Sequence, residues 1–237
     1  MTQVDRFRTL GLLGGMSWES TAVYYRLINQ GVAARGGGLH SAPLLLHSLD
    51  FAGVAAAQAA GDWAGLGAQL GAAAAGLVRA GAGAVLIATN TMHRLAAEVQ
   101  AAAGVPLLHI GDATGAALRA AGVKRAGLLG TRFTMEDVSV LRGRLAAHHG
   151  IETLVPGDAA RTEVHRVIYE ELCRGRLEGP SRERYAGIID DLRRDGAEVV
   201  ILGCTEIGLL IGAADSTLPV FDTTQLHAAM AVDWICS

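Results

Sequence analysis

The chain has 237 residues, and about half of them are apolar, which excludes a disordered protein and allows one large domain or two smaller ones. Its formal charge of −3, without any Lys/Arg block, predicts no nucleic-acid surface. Apolar stretches fall short of the ~18 residues of a membrane span, no secretory segment is evident, and the three cysteines form no C-x-x-C pair. We therefore expect a cytoplasmic protein without a membrane segment.

The first half of the chain predicts strands that alternate with helices. "RTLGLLGG" is expected to be a strand that ends in a glycine turn, and a helix follows from Ser17, a good N-cap residue. "APLLLHSLDF" predicts a second strand that runs into a loop, and an Ala-rich helix follows over 63–80. The strand "AVLIA" leads to Thr89 and a helix over 92–103, and "VPLLHIGDAT" predicts another strand with a helix behind it.

The same order of elements then restarts. "RAGLLGTRFTMED" matches "RTLGLLGGMSWES" as a strand, a glycine turn and a helix start, and "MEDVSVLRGRLAAHHG" predicts the helix. A strand in "IETLVP", a charged helix over 159–174 and a helix in "RERYAGIIDDLRRDG" follow. "GAEVVILGCTEI" then repeats "GAGAVLIATNTM" and puts Cys204 at the position of Thr89. "LPVFDTTQLH" corresponds in the same way to "VPLLHIGDAT".

Strands that alternate with helices predict an α/β fold with parallel sheets. Because the order occurs twice, we expect two pseudo-symmetric lobes, each a mainly parallel sheet flanked by helices, with an active-site cleft between them. The expected lobes are 1–110 plus 222–237 and 111–221. Sites in such sheets lie beyond the carboxyl ends of the strands. Thr89 and Cys204 both occupy that position, so we expect them to meet a substrate from opposite sides.

Two such groups suit the movement of a proton off one side of a carbon and onto the other. A thiol is an effective base when helix dipoles or neighbours lower its pKa. Because a predicted helix follows Cys204, we expect backbone N–H groups to favour its thiolate. A threonine hydroxyl is a far weaker acid and base, so Thr89, or a water that it holds, is the weaker group. Nearby polar side chains are expected to bind a carboxylate and its developing charge; they are Asn90, Thr91, Thr131, Thr134 and Thr205.

Four motifs carry a resemblance to a known family: "GLLGGMSWEST", "ATNTMH", "LLGTRFTME" and "LGCTEIGLL". Together they resemble the aspartate/glutamate racemases, which are cofactor-independent amino-acid racemases with two pseudo-symmetric α/β lobes. That family has two acid/base residues, usually both cysteine, and its first cysteine matches Thr89. In having a threonine in place of that cysteine, the sequence resembles the L-aspartate/glutamate-specific racemases, which also carry "GGMSWEST" and "TNTMH". The resemblance implies catalysis by Cys204 and Thr89 without pyridoxal phosphate, and a homodimer.

The resemblance also implies how an amino-acid substrate is held. The α-carboxylate is expected to meet Asn90, Thr91 and Thr134. Two residues of the first strand–helix turn, Met16 and Ser17, are expected to border the site.

The sequence departs from the family pattern in the residues expected to contact the substrate side chain. Aspartate racemases bring basic residues to it, but "LHSLDF" contains no Arg, and Glu163 stands near the place where a Lys is expected. Arg161 or His165 is the candidate substitute, and Gln58 is a candidate neutral contact. Glu206 is expected to orient the thiol or to bind the amino group.

The sequence also bears on other functions. The glycines at 11, 14 and 15 do not form G-x-G-x-x-G, and no H-E-x-x-H or paired Cys/His motif occurs, so neither NAD nor a metal is expected. Cys173 is expected to be a packing residue and Cys236 to be inert. Hydantoin racemase, maleate cis–trans isomerase and arylmalonate decarboxylase are related alternatives. A catalytically silent protein that binds an amino acid or a dicarboxylate is the alternative from a different class.

Overall fold

Strands alternate with helices throughout the computed structural model, which describes residues 7–237. The chain forms two compact units: unit 1 contains the chain up to His109 together with His227–Ser237, and unit 2 contains Ile110–Leu226. No helix among the described residues is long and apolar enough to cross a membrane.

Unit 1 is built on a four-stranded parallel sheet with the strand order β2-β1-β3-β4. Its strands are β1 (Leu10–Gly14), β2 (Leu44–Ser48), β3 (Ala84–Ile87) and β4 (Leu107–Leu108). Its helices are α1 (Trp18–Gly36), α2 (Phe51–Ala60), α3 (Trp63–Arg79) and α4 (Ala96–Ala103), the last preceded by a 3₁₀ turn over Thr91–Leu95.

Unit 2 has a second four-stranded parallel sheet with the equivalent order β6-β5-β7-β8. The strands are β5 (Arg125–Leu129), β6 (Glu152–Leu154), β7 (Val199–Leu202) and β8 (Val220–Asp222). The helices are α5 (Ile110–Ala120), α6 (Arg132–Glu136), α7 (Arg142–His149), α8 (Asp158–Glu170), α9 (Gly179–Arg194) and α10 (Ile207–Leu210). Helix α11 (Thr223–Ile235) begins at the end of unit 2, and its residues from His227 belong to unit 1. The predicted α/β class and the two parallel sheets are confirmed.

Alternate residues of the central strands enter different apolar clusters, which is why these strands are continuous apolar runs. In β3, Val85 and Ile87 pack with the cluster that contains residues of α2, α3 and α4. Ala84 and Leu86 point to the other cluster, with residues of α1 and α11. A parallel sheet with both faces covered requires apolar residues at every position of its inner strands.

The turn from β1 into α1 follows the sequence prediction. The Ser17 side chain caps α1 by accepting a hydrogen bond from the Ser20 N–H at 3.4 Å. The Thr21 hydroxyl group accepts from the Gly15 N–H at 2.8 Å and donates to the Ser17 carbonyl at 2.9 Å.

Two local predictions were wrong. The loop expected after β2 is helix α2, which Asp50 caps by accepting from the Ala52 N–H. The single helix expected over 135–150 is broken, because the Asp137 carboxylate binds both the N–H and the hydroxyl of Ser139 and so competes with the helix. The helix predicted after Cys204 is present as the four-residue α10, which begins three residues later.

Candidate active site

Thr89 and Cys204 occupy the same position in their respective sheets. In unit 1 the Ala88 N–H donates to the Leu13 carbonyl at 2.9 Å, and Thr89 follows. In unit 2 the Gly203 N–H donates to the Leu129 carbonyl at 2.6 Å, and Cys204 follows. Each residue is therefore the first one beyond the last ladder bond, at the carboxyl end of a central strand.

The Cys204 thiol is coupled to a carboxylate. Its Sγ donates to Glu206 Oε2 at 2.9 Å, and the Thr205 hydroxyl donates to the same oxygen at 2.8 Å. Cys204 is 7% exposed and Glu206 is 3% exposed. The arrangement gives a buried thiol a proton acceptor within hydrogen-bond distance.

The pKa of this thiol is shifted in the direction opposite to the one expected from the sequence. Burial raises the pKa of Cys204 well above its ordinary value, and the negative charge of Glu206 raises it further. Helix α10 is too short, and begins too late, to supply the expected dipole. In the resting site the proton therefore stays on Sγ.

A second cysteine, Cys173, which was predicted to be a packing residue, lies in the same neighbourhood. Cys173 packs against the apolar cluster that contains Cys204. Burial raises the pKa of the Cys173 thiol, and so do the charge of Glu206 and a hydrogen bond with it. The sequence carried no signal for this, because Cys173 lies in a separate 3₁₀ turn, Leu172–Arg174.

The threonines at the start of α6 lie beside Cys204. Strands β5 and β7 pair in register up to Leu129 and Leu202, so Thr131 and Cys204 leave the sheet from neighbouring strands. Thr131 caps α6 by accepting from the Thr134 N–H at 3.2 Å, and both side chains are buried. The two hydroxyl oxygens lie 3.2 Å apart, and their contact with a substrate carboxylate stays a prediction.

Around Thr89, the predicted polar residues of unit 1 are buried. Asn90 and Thr91 continue the chain into the 3₁₀ turn. Met16 and Ser17 are also buried and follow β1, the neighbour of β3. Gln58 reaches this segment from α2, where its Nε2 donates to Met92 Sδ at 3.0 Å.

The two candidate contacts on α8 differ in their freedom. Arg161 is committed to ion pairs with Glu136 at 3.0 Å and Asp158 at 3.2 Å. The His165 Nδ1 accepts from the Arg132 N–H at 3.3 Å, which in the neutral ring leaves the proton on Nε2. Burial lowers the pKa of His165, as does the nearby Arg132 charge, so the ring is a neutral donor.

His165 lines a cavity of about 360 Å³ in unit 2, together with Arg132, Phe133, Glu136 and Asp137. Its ring also lies 4.7 Å from the ring of Tyr169, between centroids. Glu163, in contrast, is paired with two arginines, which lower its pKa. Of the residues named for the substrate side chain, His165 is therefore the one on α8 that borders a cavity.

A buried histidine cluster behind Thr89 was not predicted. The His93 Nδ1 lies 2.8 Å from the Thr89 carbonyl oxygen, and the ring centroids of His109 and His227 lie 4.6 and 5.6 Å from that of His93. The rings come from three separate segments, so only the fold brings them together. Groups of three or more His, Cys, Asp or Glu side chains placed to hold a metal do not occur within residues 7–237.

The chain is similar in sequence and in fold to known racemases. The sequence model of the Asp/Glu/hydantoin racemase family matches residues 13–231. A solved candidate Asp/Glu racemase from Yersinia pestis is 50% identical over 96% of this chain and 98% of its own, with a TM-score of 0.89. An aspartate racemase homologue from Pyrococcus horikoshii is 32% identical over 95% of this chain and 98% of its own, with a TM-score of 0.79. Glutamate racemase from Francisella tularensis, solved with D-glutamate, shares the fold at 13% identity. The match covers 97% of this chain and 81% of that protein, with a TM-score of 0.62.

Proposed function

The chain belongs to the Asp/Glu/hydantoin racemase family, as its sequence motifs predicted, and from this premise we propose that it is an amino-acid racemase. It inverts the α-carbon of aspartate or glutamate by proton transfer, with Cys204 on one face and Thr89, or a water that it holds, on the other. The observation that carries the proposal is the buried Cys204–Glu206 pair at the end of β7. Thr89 holds the equivalent place at the end of β3.

On the Cys204 face, the carboxylate makes the thiol usable as a base. As the substrate's α-proton moves to Sγ, the proton already on Sγ moves to Glu206 Oε2. One S–H bond breaks and one forms, so the sulfur gains no lasting charge. In the reverse direction Sγ–H protonates the carbanion and recovers its proton from Glu206. Such a shared proton suits a site in which burial disfavours a free thiolate.

The Thr89 face works with a weaker group. In the repeat, Thr91 takes the place of Glu206, and the conjugate base of a threonine hydroxyl is too strong to form freely at neutral pH. We infer that proton delivery from this face is the slower chemical event. The alkoxide or hydroxide that it leaves regains a proton from solvent, and Glu206 releases its extra proton to solvent, which restores the resting enzyme. We expect the two enantiomers to differ in kcat with a matching difference in KM, because both directions of racemisation pass through the same steps.

Hydroxyl and amide donors stabilise the carboxylate as charge develops on it during proton removal. We assign this role to Asn90, Thr91 and Thr134, with Thr131 and Thr205 supporting it and Met16 and Ser17 bordering the site. The buried state of these side chains makes each hydrogen bond stronger than it would be in water.

For the substrate side chain, Gln58, His165 and Arg161 remain the candidates, and His165 is the strongest because it borders a cavity. A neutral Nε2–H accepts no proton from the substrate but donates a hydrogen bond to a side-chain carboxylate. The reaction as proposed needs no pyridoxal phosphate, since the side chains supply both proton transfers. A cytoplasmic homodimer stays a prediction.

The test is proton NMR of L- and D-amino acids incubated with the protein in D₂O. Loss of the α-proton signal shows exchange, and the amino acid that exchanges identifies the substrate. We expect the Cys204→Ala variant to lose exchange for one enantiomer, whereas the matched Cys236→Ala control keeps the wild-type rate. Exchange that survives in Cys204→Ala for both enantiomers would rule out the proposed base.

The competing function is a catalytically silent protein that binds an amino acid or a dicarboxylate. The raised pKa of Cys204 favours this alternative, because a thiol that stays protonated is inert on its own. The two functions differ in the NMR experiment: a silent protein broadens or shifts the signals of its ligand without exchanging the α-proton. A related isomerase or decarboxylase would instead leave every amino acid unchanged.

A further inference from the structure

The two equivalent strand ends are held by different partners. In unit 2 the acidic residue two positions after Cys204 bonds the thiol. In unit 1 the residue four positions after Thr89 bonds its main chain: His93 Nδ1 lies 2.8 Å from the Thr89 carbonyl oxygen. The residue that corresponds to His93 in the repeat is Gly208. The histidine contact is therefore specific to the Thr89 end and is not a product of the duplicated fold.

The acceptor fixes the tautomer of His93. A carbonyl oxygen can only accept, so Nδ1 carries the proton and donates it to Thr89. His93 itself is 2% exposed, so the donor is buried, whereas Thr89 on the acceptor side is half-buried. A hydrogen bond with a buried donor restricts the orientation of the Thr89 peptide more strongly than a fully exposed one.

The ring of His93 is itself held by a network. The neighbouring ring of His227 is fully buried, donates from Nε2 to the Leu108 carbonyl at 2.8 Å and accepts at Nδ1 from the Tyr24 hydroxyl at 2.9 Å. The ring of His109 also contacts the ring of His93, with 4.6 Å between the two centroids. These bonds tie the ends of β3 and β4 to α1 and α11. His93 therefore has little freedom to turn away from Thr89.

We propose that His93 is a positioning residue for Thr89: its Nδ1–H, backed by the rings of His109 and His227, fixes the Thr89 main chain so that the hydroxyl meets the substrate in one orientation. This inference rests on the proposed function, in which Thr89 serves one face of the α-carbon. A weak acid gains most from such fixation, because its proton transfer depends on geometry rather than on a favourable pKa.

The experiment compares His93→Leu with His93→Asn. Leucine removes the donor and roughly keeps the bulk of the ring. Asparagine places an amide N–H at the same distance from the backbone as Nδ1, so it restores the donor. α-Proton exchange in D₂O is measured for each enantiomer separately, beside Thr89→Ala and Cys204→Ala, which assign the enantiomer served by each face.

We expect His93→Leu to slow exchange of the Thr89-dependent enantiomer at least tenfold and to leave the Cys204-dependent exchange within about threefold. His93→Asn is expected to recover most of the loss. In the double variant His93→Leu/Thr89→Ala, the histidine change should cost nothing beyond Thr89→Ala, since it acts through that residue. The retained Cys204-dependent exchange reports that the variants are folded.

Equal slowing of both enantiomers by His93→Leu would overturn the inference, because it would indicate a general structural role. So would a His93→Leu variant with the wild-type rate beside a selectively impaired Thr89→Ala. If Thr89→Ala itself had no effect on either enantiomer, the Thr89 part of the proposed function would fail, and the inference with it. The two failures are distinguished by the Thr89→Ala data alone.

Discussion

Replacing Glu206 by Gln separates two effects of this carboxylate on Cys204. The negative charge raises the thiol pKa, and the same oxygen is the proposed proton acceptor, 2.9 Å from Sγ. Glutamine keeps the shape but removes both the charge and the basic oxygen. We therefore expect the thiol to become more acidic while racemisation becomes slower, an opposition that few other substitutions would produce.

The size of each effect follows from the geometry. Two unit charges about 4 Å apart interact by about 4 kcal/mol at an effective dielectric constant of about 20. Removing this repulsion raises the thiolate fraction of Cys204 by up to about a thousandfold. Because a more acidic thiol is a weaker nucleophile, with a Brønsted coefficient of about 0.5, the alkylation rate should rise about ten- to thirtyfold. Loss of the acid–base partner should lower kcat about 10²–10⁴-fold.

The assay follows alkylation of Cys204 by iodoacetamide at neutral pH, with peptide mapping to separate it from Cys173 and Cys236. Racemisation is measured on the same samples, and Glu183→Gln, an exposed change on α9, is the matched control. A Glu206→Gln variant with faster alkylation and faster racemisation would refute the reasoning, since Glu206 would then only suppress the thiol. Unchanged values for both would show that the hydrogen bond does not couple the two groups.

Two further predictions concern stability. Burial, with a smaller contribution from the charge of His93, lowers the pKa of His227 to about 3, so the unfolded chain binds a proton that the folded chain does not over the range from about 6.5 down to 3. The stability that this residue contributes is present above pH 6.5 and is lost as the pH falls. His227→Leu should therefore reduce the slope of the unfolding free energy against pH, measured by urea denaturation between pH 4 and 6, by up to the equivalent of one proton. An unchanged slope would contradict a neutral His227. Gly31→Ala should destabilise the protein by about 1–3 kcal/mol, because its Cβ would lie 2.6 Å from a methyl group of Val232. Gly187→Ala in α9, where a Cβ meets nothing within 4 Å, should stabilise it by about 0.5–1 kcal/mol in the same assay, and equal effects of both would contradict the packing argument.

Local sequence patterns were sufficient for the strands and for most helices. Continuous apolar runs such as "AVLIA" and "VVIL" have few alternatives to a buried strand, and Ser17 marked the start of α1 by its capping chemistry. The patterns failed where one side chain decides the backbone. Asp137 breaks a helical run by binding Ser139, and the Ala-rich α2 has too little amphipathic contrast to be distinguished from a loop.

Only the site residues that lie in the repeated segments or in the family motifs could be predicted from the sequence. Cys204, Thr89 and the polar residues beside them lie next to strand ends, so their places followed from the fold class. Partners that come from other segments did not follow, as with Tyr24 and His227, which are hydrogen-bonded across 203 positions of sequence. The thiol pKa was predicted in the wrong direction, because a sequence shows that a helix follows Cys204 but not how deeply the thiol is buried.

Unequal bases at the two strand ends have a strict kinetic consequence. Free L- and D-amino acids have the same free energy, so the ratio of kcat/KM for the two directions of racemisation must equal one whatever the groups involved. A weaker Thr89 face can therefore not favour one enantiomer in kcat/KM. It changes kcat only together with KM, in the same proportion, by stabilising one bound enantiomer more than the other. The Cys204–Glu206 pair and the His93-supported Thr89 then determine how tightly each enantiomer is held, and measured kcat and KM ratios that agree within error are what this chemistry requires.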